Sequence, residues 1–161
     1  MIQEAFLFSI AGISASLAGL AGLVAGLRRG SDVRPLDLYR LREIVEFAFA
    51  NVMVALATFP ILLVIGNTSD ALRISALIAL AYSIVHVGIL VGRSRRDALP
   101  RSRAWFVGAG AIDLATLVTV VATVASGTVQ AYEALLLVLL ARPMLAFLLV
   151  LASFESTPGS S

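Results

Sequence analysis

The chain has 161 residues, 60% of them hydrophobic and 14% charged, with a mean hydropathy of +0.98, a composition that excludes an ordinary water-soluble domain of this size. It contains no cysteine, which rules out a disulfide framework, a thiolate metal site and a cysteine nucleophile. All twelve basic residues are arginine, set against ten acids; the arginine usage points to a GC-rich bacterial genome, and the positions of the arginines explain the pI near 9.7 without a nucleic-acid partner.

After a head at 1–4 without positive charge, residues 5–27 form a first apolar run, roughly 35 Å long as a helix and sufficient to cross a bilayer. Arg28 and Arg29 follow this run, the reverse of the order in a cleaved signal peptide, so it is expected to stay as a helix with its N-terminus outside. Ala11, Ala15 and Gly19 recur every four residues, as do Ala18, Gly22 and Gly26. Such spacing lets a neighbouring backbone come close, and it marks Gly19, Gly22 and Gly26 as helix-packing positions, within the same bundle or, alternatively, against a second copy.

The first loop, 30–43, collects Arg34, Arg40 and Arg42 beside Arg28 and Arg29, with Ser31 or Asp32 as a helix cap and Pro35 suited to a first turn. Residues 35–46 read as an interfacial helical turn leading into span 2, in which Arg40 with Glu43 and Arg42 with Glu46 can meet on the helix surface. These charges form a collar at headgroup level, with anionic-lipid binding as the sharper alternative. Span 2, at 44–65, carries Asn51 inside and Pro60 toward its far end, where a kink is expected. A polar turn at 66–70 follows; its Asn67-Thr68-Ser69 matches a glycosylation acceptor only formally.

Span 3, at 72–92, has Arg73 at its mouth and Tyr82, Ser83 and His86 within. The densest charge cluster comes next, with Arg93, Arg95, Arg96, Arg101 and Arg103 relieved only by Asp97, and Trp105 just beyond it placed as an interfacial anchor. Span 4, at 104–126, contains Asp113 and a helical-period stripe of Thr116, Thr119 and Thr123, expected with Asn51 to hydrogen-bond between helices. Span 5, at 131–154, has Arg142 and Pro143 at its middle, and 155–161 reads as a short disordered tail.

The expected architecture is therefore an all-α integral membrane protein, five transmembrane helices in one up-and-down bundle over 1–154. Ten of the twelve arginines fall in the loops after spans 1 and 3, which places those loops and the C-terminus in the cytoplasm and the N-terminus outside, in a bacterial inner membrane. Partners expected from this reading are the lipid bilayer and either a second copy or another membrane protein.

An unpaired arginine at mid-bilayer costs roughly 2.5–3.5 kcal/mol, so Arg142 requires a partner. Asp113 is the one acid near the middle of the preceding run. Counting along each span puts Glu46 about 3 Å deep, His86 about 9 Å, Asn51 about 10 Å, Asp113 about 14 Å and Arg142 about 15–18 Å from the cytoplasmic side. These five residues form a candidate intramembrane cluster, read first as a structural Asp113/Arg142 clamp and alternatively as an ion or proton path. Pro143 also withholds an amide donor from the carbonyl of Leu139. Ser83, His86 and Asp113 lack the nucleophile turn and oxyanion hole of a hydrolase, so no enzyme is predicted, nor any metal or cofactor. Two classes remain: a small non-enzymatic membrane subunit or scaffold, and an oligomeric channel or proton-coupled carrier.

Overall fold

The computed structural model describes residues 4–27, 35–97 and 103–155, and all of them but two short turns are helical. The helices are α1 (Glu4–Leu27), α2 (Pro35–Ile65), α3 (Thr68–Asp97), α4 (Arg103–Ser126) and α5 (Val129–Glu155). Each contains a stretch long and apolar enough to cross a membrane. Of the tail expected at 155–161, Glu155 is the last residue of α5 and 156–161 lie outside the described residues, as do the caps at Ser31 or Asp32 and Arg28, Arg29, Arg34 and Arg101.

One difference from the expected boundaries bears on the site. α2 is one uninterrupted helix from Pro35, in keeping with the expected helical lead-in to span 2, and it runs through Pro60. α3 continues past Gly92 to Asp97, so the first part of the arginine cluster is helical rather than loop. A helix already propagated adds one hydrogen bond for each further residue it orders, so charge alone does not stop it.

The turns have clear local causes. Gly66 and Gly127 adopt φ of 70° and 60°, the left-handed region that ends a helix, and their amides close back on Leu62 O at 2.8 Å and Thr123 O at 2.7 Å. Asn67 caps α3: its Oδ1 accepts the Ser69 amide at 3.0 Å, its carbonyl accepts the Ala71 amide at 3.0 Å, and its Nδ2 donates to Asp70 Oδ2 at 3.0 Å.

α2 and α5 lie at the centre. α2 packs on α1, α3 and α5, and α5 on all four others, whereas α2 and α4 do not pack on one another among the described residues. Phe8 stacks on Phe59 while Asn51 reaches Ser14, so later residues of α1 meet earlier residues of α2. One buried cluster joins Leu7 and Ile10 to Val54, Leu72, Leu135 and Leu136, and a second joins Ala21 to Leu41, Ile44, Ala146 and Val150. Inside the first, the Tyr132 hydroxyl sits 2.6 Å from Thr58 Oγ1 and 3.1 Å from the Val54 carbonyl, with Ser75 Oγ 3.4 Å from Thr58. Large apolar side chains also cover the outside: Met53, Leu63, Val64, Val107 and Leu148 are all exposed.

The glycines of α1 do not do the packing expected of them within the bundle. Gly19, Gly22 and Gly26 are exposed, and a Cβ on any of them would meet nothing within 4 Å. The buried face of α1 is Leu7, Ile10, Ala11, Ser14 and Ala21 instead. At 100° per residue the two sets are centred about 110° apart on the helix, with Gly22 next to Ala11 at the border between them, and burying the larger side chains yields more contact than burying glycine.

Candidate functional site

Arg142 is the centre of the site. Midway along α5, it is only 6% exposed, and its guanidinium meets groups from two other helices. Nη1 donates to Asp113 Oδ1 on α4, and Nε lies 3.5 Å from Glu43 Oε1 on α2. The Phe47 ring, one turn after Glu43, lies under the guanidinium with its centroid 4.5 Å from Cζ. A desolvated contact of this kind contributes about 2 kcal/mol. Glu43 is buried at 3%, whereas the Asp113 side chain is 40% exposed. Arg142 thus ties α2 to α4, which do not pack on one another among the described residues.

Glu43 is the residue that sequence reasoning placed wrongly. It was expected at the membrane surface beside Arg40, yet it is buried against Arg142. The cause is where the apolar stretch of α2 begins: it starts at Leu38 rather than at Ile44, five residues before Glu43, or about 8 Å of helix. Arg40 is also buried, and its Nη1 donates to the Leu149 carbonyl at 3.3 Å.

A second polar group sits one turn further along α2. Arg42 donates to Glu46 Oε1 at 2.7 Å, the surface pair the spacing predicts. Glu46 Oε2 lies 3.8 Å from His86 Nδ1, and the Tyr82 hydroxyl donates to the Glu46 carbonyl at 3.1 Å while standing 3.4 Å from the same Nδ1. The imidazole is buried, with its ring 4.1 Å from that of Phe47. Phe47 is therefore the contact shared by the two groups, His86 with Glu46 and Arg142 with its carboxylates.

Asn51 belongs elsewhere. Its Nδ2 donates to Ser14 Oγ at 3.1 Å, an α1–α2 bond, beside a cavity of about 10 Å³ lined by Phe47, Tyr82 and Leu139. Its buried Oδ1 has no hydrogen-bond partner among the described residues. Among the described residues the threonine stripe does not bond between helices as expected. Thr116, Thr119 and Thr123 each donate to the carbonyl four residues earlier in α4, at 2.9, 2.9 and 2.7 Å. That carbonyl is always within reach of a helical threonine, so no precise neighbour is needed.

A groove of about 360 Å³ opens between α3 and α4, and Asp113 forms part of its wall. Chemically, then, the arrangement holds one guanidinium between two carboxylates, and exposes one of those carboxylates to an apolar cleft.

The fold defines the class: an all-helical chain with five helices long and apolar enough to span a membrane. Comparison with family models, curated proteins and solved structures finds no match to this chain.

Proposed function

We propose that this is a multi-pass bacterial inner-membrane protein, an up-and-down bundle with its N-terminus outside and its C-terminus cytoplasmic, acting as a non-enzymatic membrane subunit or scaffold. The exposed apolar side chains on every helix support a lipid environment, since a water-soluble monomer rarely exposes so much. The arginine-rich loops support the orientation. Anionic lipid is the partner that suits those loops.

The observation that carries the scaffold reading is Arg142, shared between Glu43 of α2 and Asp113 of α4. Losing one member of such a buried group leaves an uncompensated charge, at about 3–5 kcal/mol, whereas replacing every member by a neutral isostere costs far less. The test is unfolding in detergent of Arg142→Gln, of Asp113→Asn with Arg142→Gln, and of the triple variant that adds Glu43→Gln. The single variant is expected to be the least stable and the triple the closest to wild type. A triple variant as unstable as Arg142→Gln would refute the clamp.

A carrier or channel is the second reading. What favours it is the half-exposed Asp113 at a groove, with Glu46 and His86 in contact nearby. Proton or cation flux into proteoliposomes, abolished by Asp113→Asn in a protein that stays folded, would establish it over the scaffold. Equal flux from protein-free vesicles would dismiss it.

A further inference from the structure

The groove between α3 and α4 has a specific chemical character. Its walls include Leu80, Ile84 and Leu117, and its polar lining is Ser83, Thr116 and Asp113. Ser83 Oγ donates its proton to the Ala79 carbonyl at 2.8 Å, and Thr116 Oγ1 donates its proton to that of Ile112 at 2.9 Å. Both hydroxyls therefore offer the groove lone pairs only. Asp113 offers the same, because Oδ1 is taken by Arg142 and Oδ2 has no hydrogen bond among the described residues. Arg142, for its part, divides its charge between Asp113 and Glu43.

Three acceptors, one of them a carboxylate, in an otherwise apolar cleft select a ligand that donates hydrogen bonds, carries positive charge and has an apolar body. An anion would meet only lone pairs. A lipid tail would fill the walls but leave the carboxylate oxygen without a donor in a poorly solvated place, which is costly. The volume, about 360 Å³, lies within the range of small-molecule sites. Ile84 and Leu117 are exposed at the rim, so the groove opens sideways, toward lipid in the membrane reading.

We propose that this groove binds a small lipophilic ammonium compound, its N–H group on Asp113, Ser83 and Thr116 and its hydrocarbon body against Leu80, Ile84 and Leu117. This goes beyond the scaffold reading and holds whether or not the chain transports anything.

The experiment uses the full-length protein in nanodiscs of zwitterionic lipid, with protein-free nanodiscs as the blank. Three probes share one hydrocarbon cage: adamantyl ammonium, adamantanol and adamantane carboxylate. Calorimetry is expected to show saturable binding of the ammonium, at least about tenfold tighter than the carboxylate, with the alcohol between them. Ile84→Trp fills the cleft from its exposed rim without touching Arg142, and is expected to weaken the ammonium by about tenfold with helicity unchanged. Asp113→Asn is expected to abolish the charge preference; should that variant fail to fold, Ile84→Trp decides alone. Equal affinity for all three probes, no saturable ammonium binding above the blank, or unaltered binding by Ile84→Trp would each overturn the proposal.

Discussion

At the scale of single residues, Arg142 shows why charge alone does not define this site. Its planar fork presents Nη1 to Asp113 and Nε to Glu43, while its face lies on Phe47. An ammonium is a compact point charge and cannot meet two carboxylates from different helices in that geometry. Arg142→Lys is therefore expected to lose at least about 2 kcal/mol in detergent unfolding although the charge is kept; stability equal to wild type would show that the fork is irrelevant. The two glutamates of α2 give a sharper contrast. Glu43 is 3% exposed against Arg142, whereas the Glu46 side chain is 29% exposed and pairs with the more exposed Arg42. Glu43→Gln is expected to cost about 3 kcal/mol and Glu46→Gln less than about 1; the reverse order would mean that Glu43 does not hold Arg142. Asp113 could be read from sequence because it is the one acid at the depth of Arg142. Glu43 could not, because its depth depends on where α2 enters its apolar part and its facing depends on rotation of the helix, neither of which hydropathy records. Depth matched His86 with Asn51 rather than with Glu46, yet His86 meets Glu46 while Asn51 turns to α1, again a matter of facing.

At the scale of elements, the connections are set by a few positions whose chemistry is local and therefore largely legible. Gly66 and Gly127 end their helices with the same positive φ, but their surroundings differ. A Cβ at Gly66 would meet nothing within 4 Å, whereas at Gly127 it would lie 1.9 Å from Ser69 Oγ and 3.2 Å from Arg73 Nε, at the start of α3. Gly66→Ala is thus expected to cost only the conformational penalty, about 1–2 kcal/mol, and Gly127→Ala clearly more. Equal losses in thermal unfolding would mean that the end of α4 does not press on α3. Asn67→Ala removes the side-chain oxygen that accepts the Ser69 amide and is expected to cost about 1 kcal/mol, with Asn67→Asp recovering most of it. An unchanged midpoint in Asn67→Ala would remove the cap from the account. The tripeptide that formally matches a glycosylation acceptor is here a helix start, with Asn67 in the capping role its side chain suits. The extension of α3 to Asp97 was less legible, because a run of arginines marks a membrane boundary without marking a helix end.

At the scale of the whole molecule, α1 poses the remaining question of assembly. Its core face is filled by Leu7, Ile10, Ala11, Ser14 and Ala21, and this leaves Gly12, Gly19, Gly22 and Gly26 outward, where a Cβ would meet nothing. Small residues contribute to helix association in lipid only when a neighbouring backbone comes close enough to use the space. Within the described residues that neighbour is not part of the bundle, so a second copy or another membrane protein is the partner this face suits. The periodicity of the glycines was visible in the sequence, but which side of α1 faces the core was decided by the leucine and isoleucine on the adjoining face. Gly22→Ile distinguishes the cases cleanly. Open space lies beyond the missing Cβ, and isoleucine is the better helix former by a few tenths of a kcal/mol, so folding is expected to be unharmed. Association through this face would instead be blocked by the branched side chain. Native mass spectrometry from detergent is expected to show a wild-type oligomer that becomes monomeric in Gly22→Ile, with helicity and unfolding midpoint preserved. An oligomer of unchanged size in the variant would move the interface to another face, and a monomeric wild type would leave the glycine face to a different membrane protein, to be sought by crosslinking from cysteines placed along α1 of this cysteine-free chain.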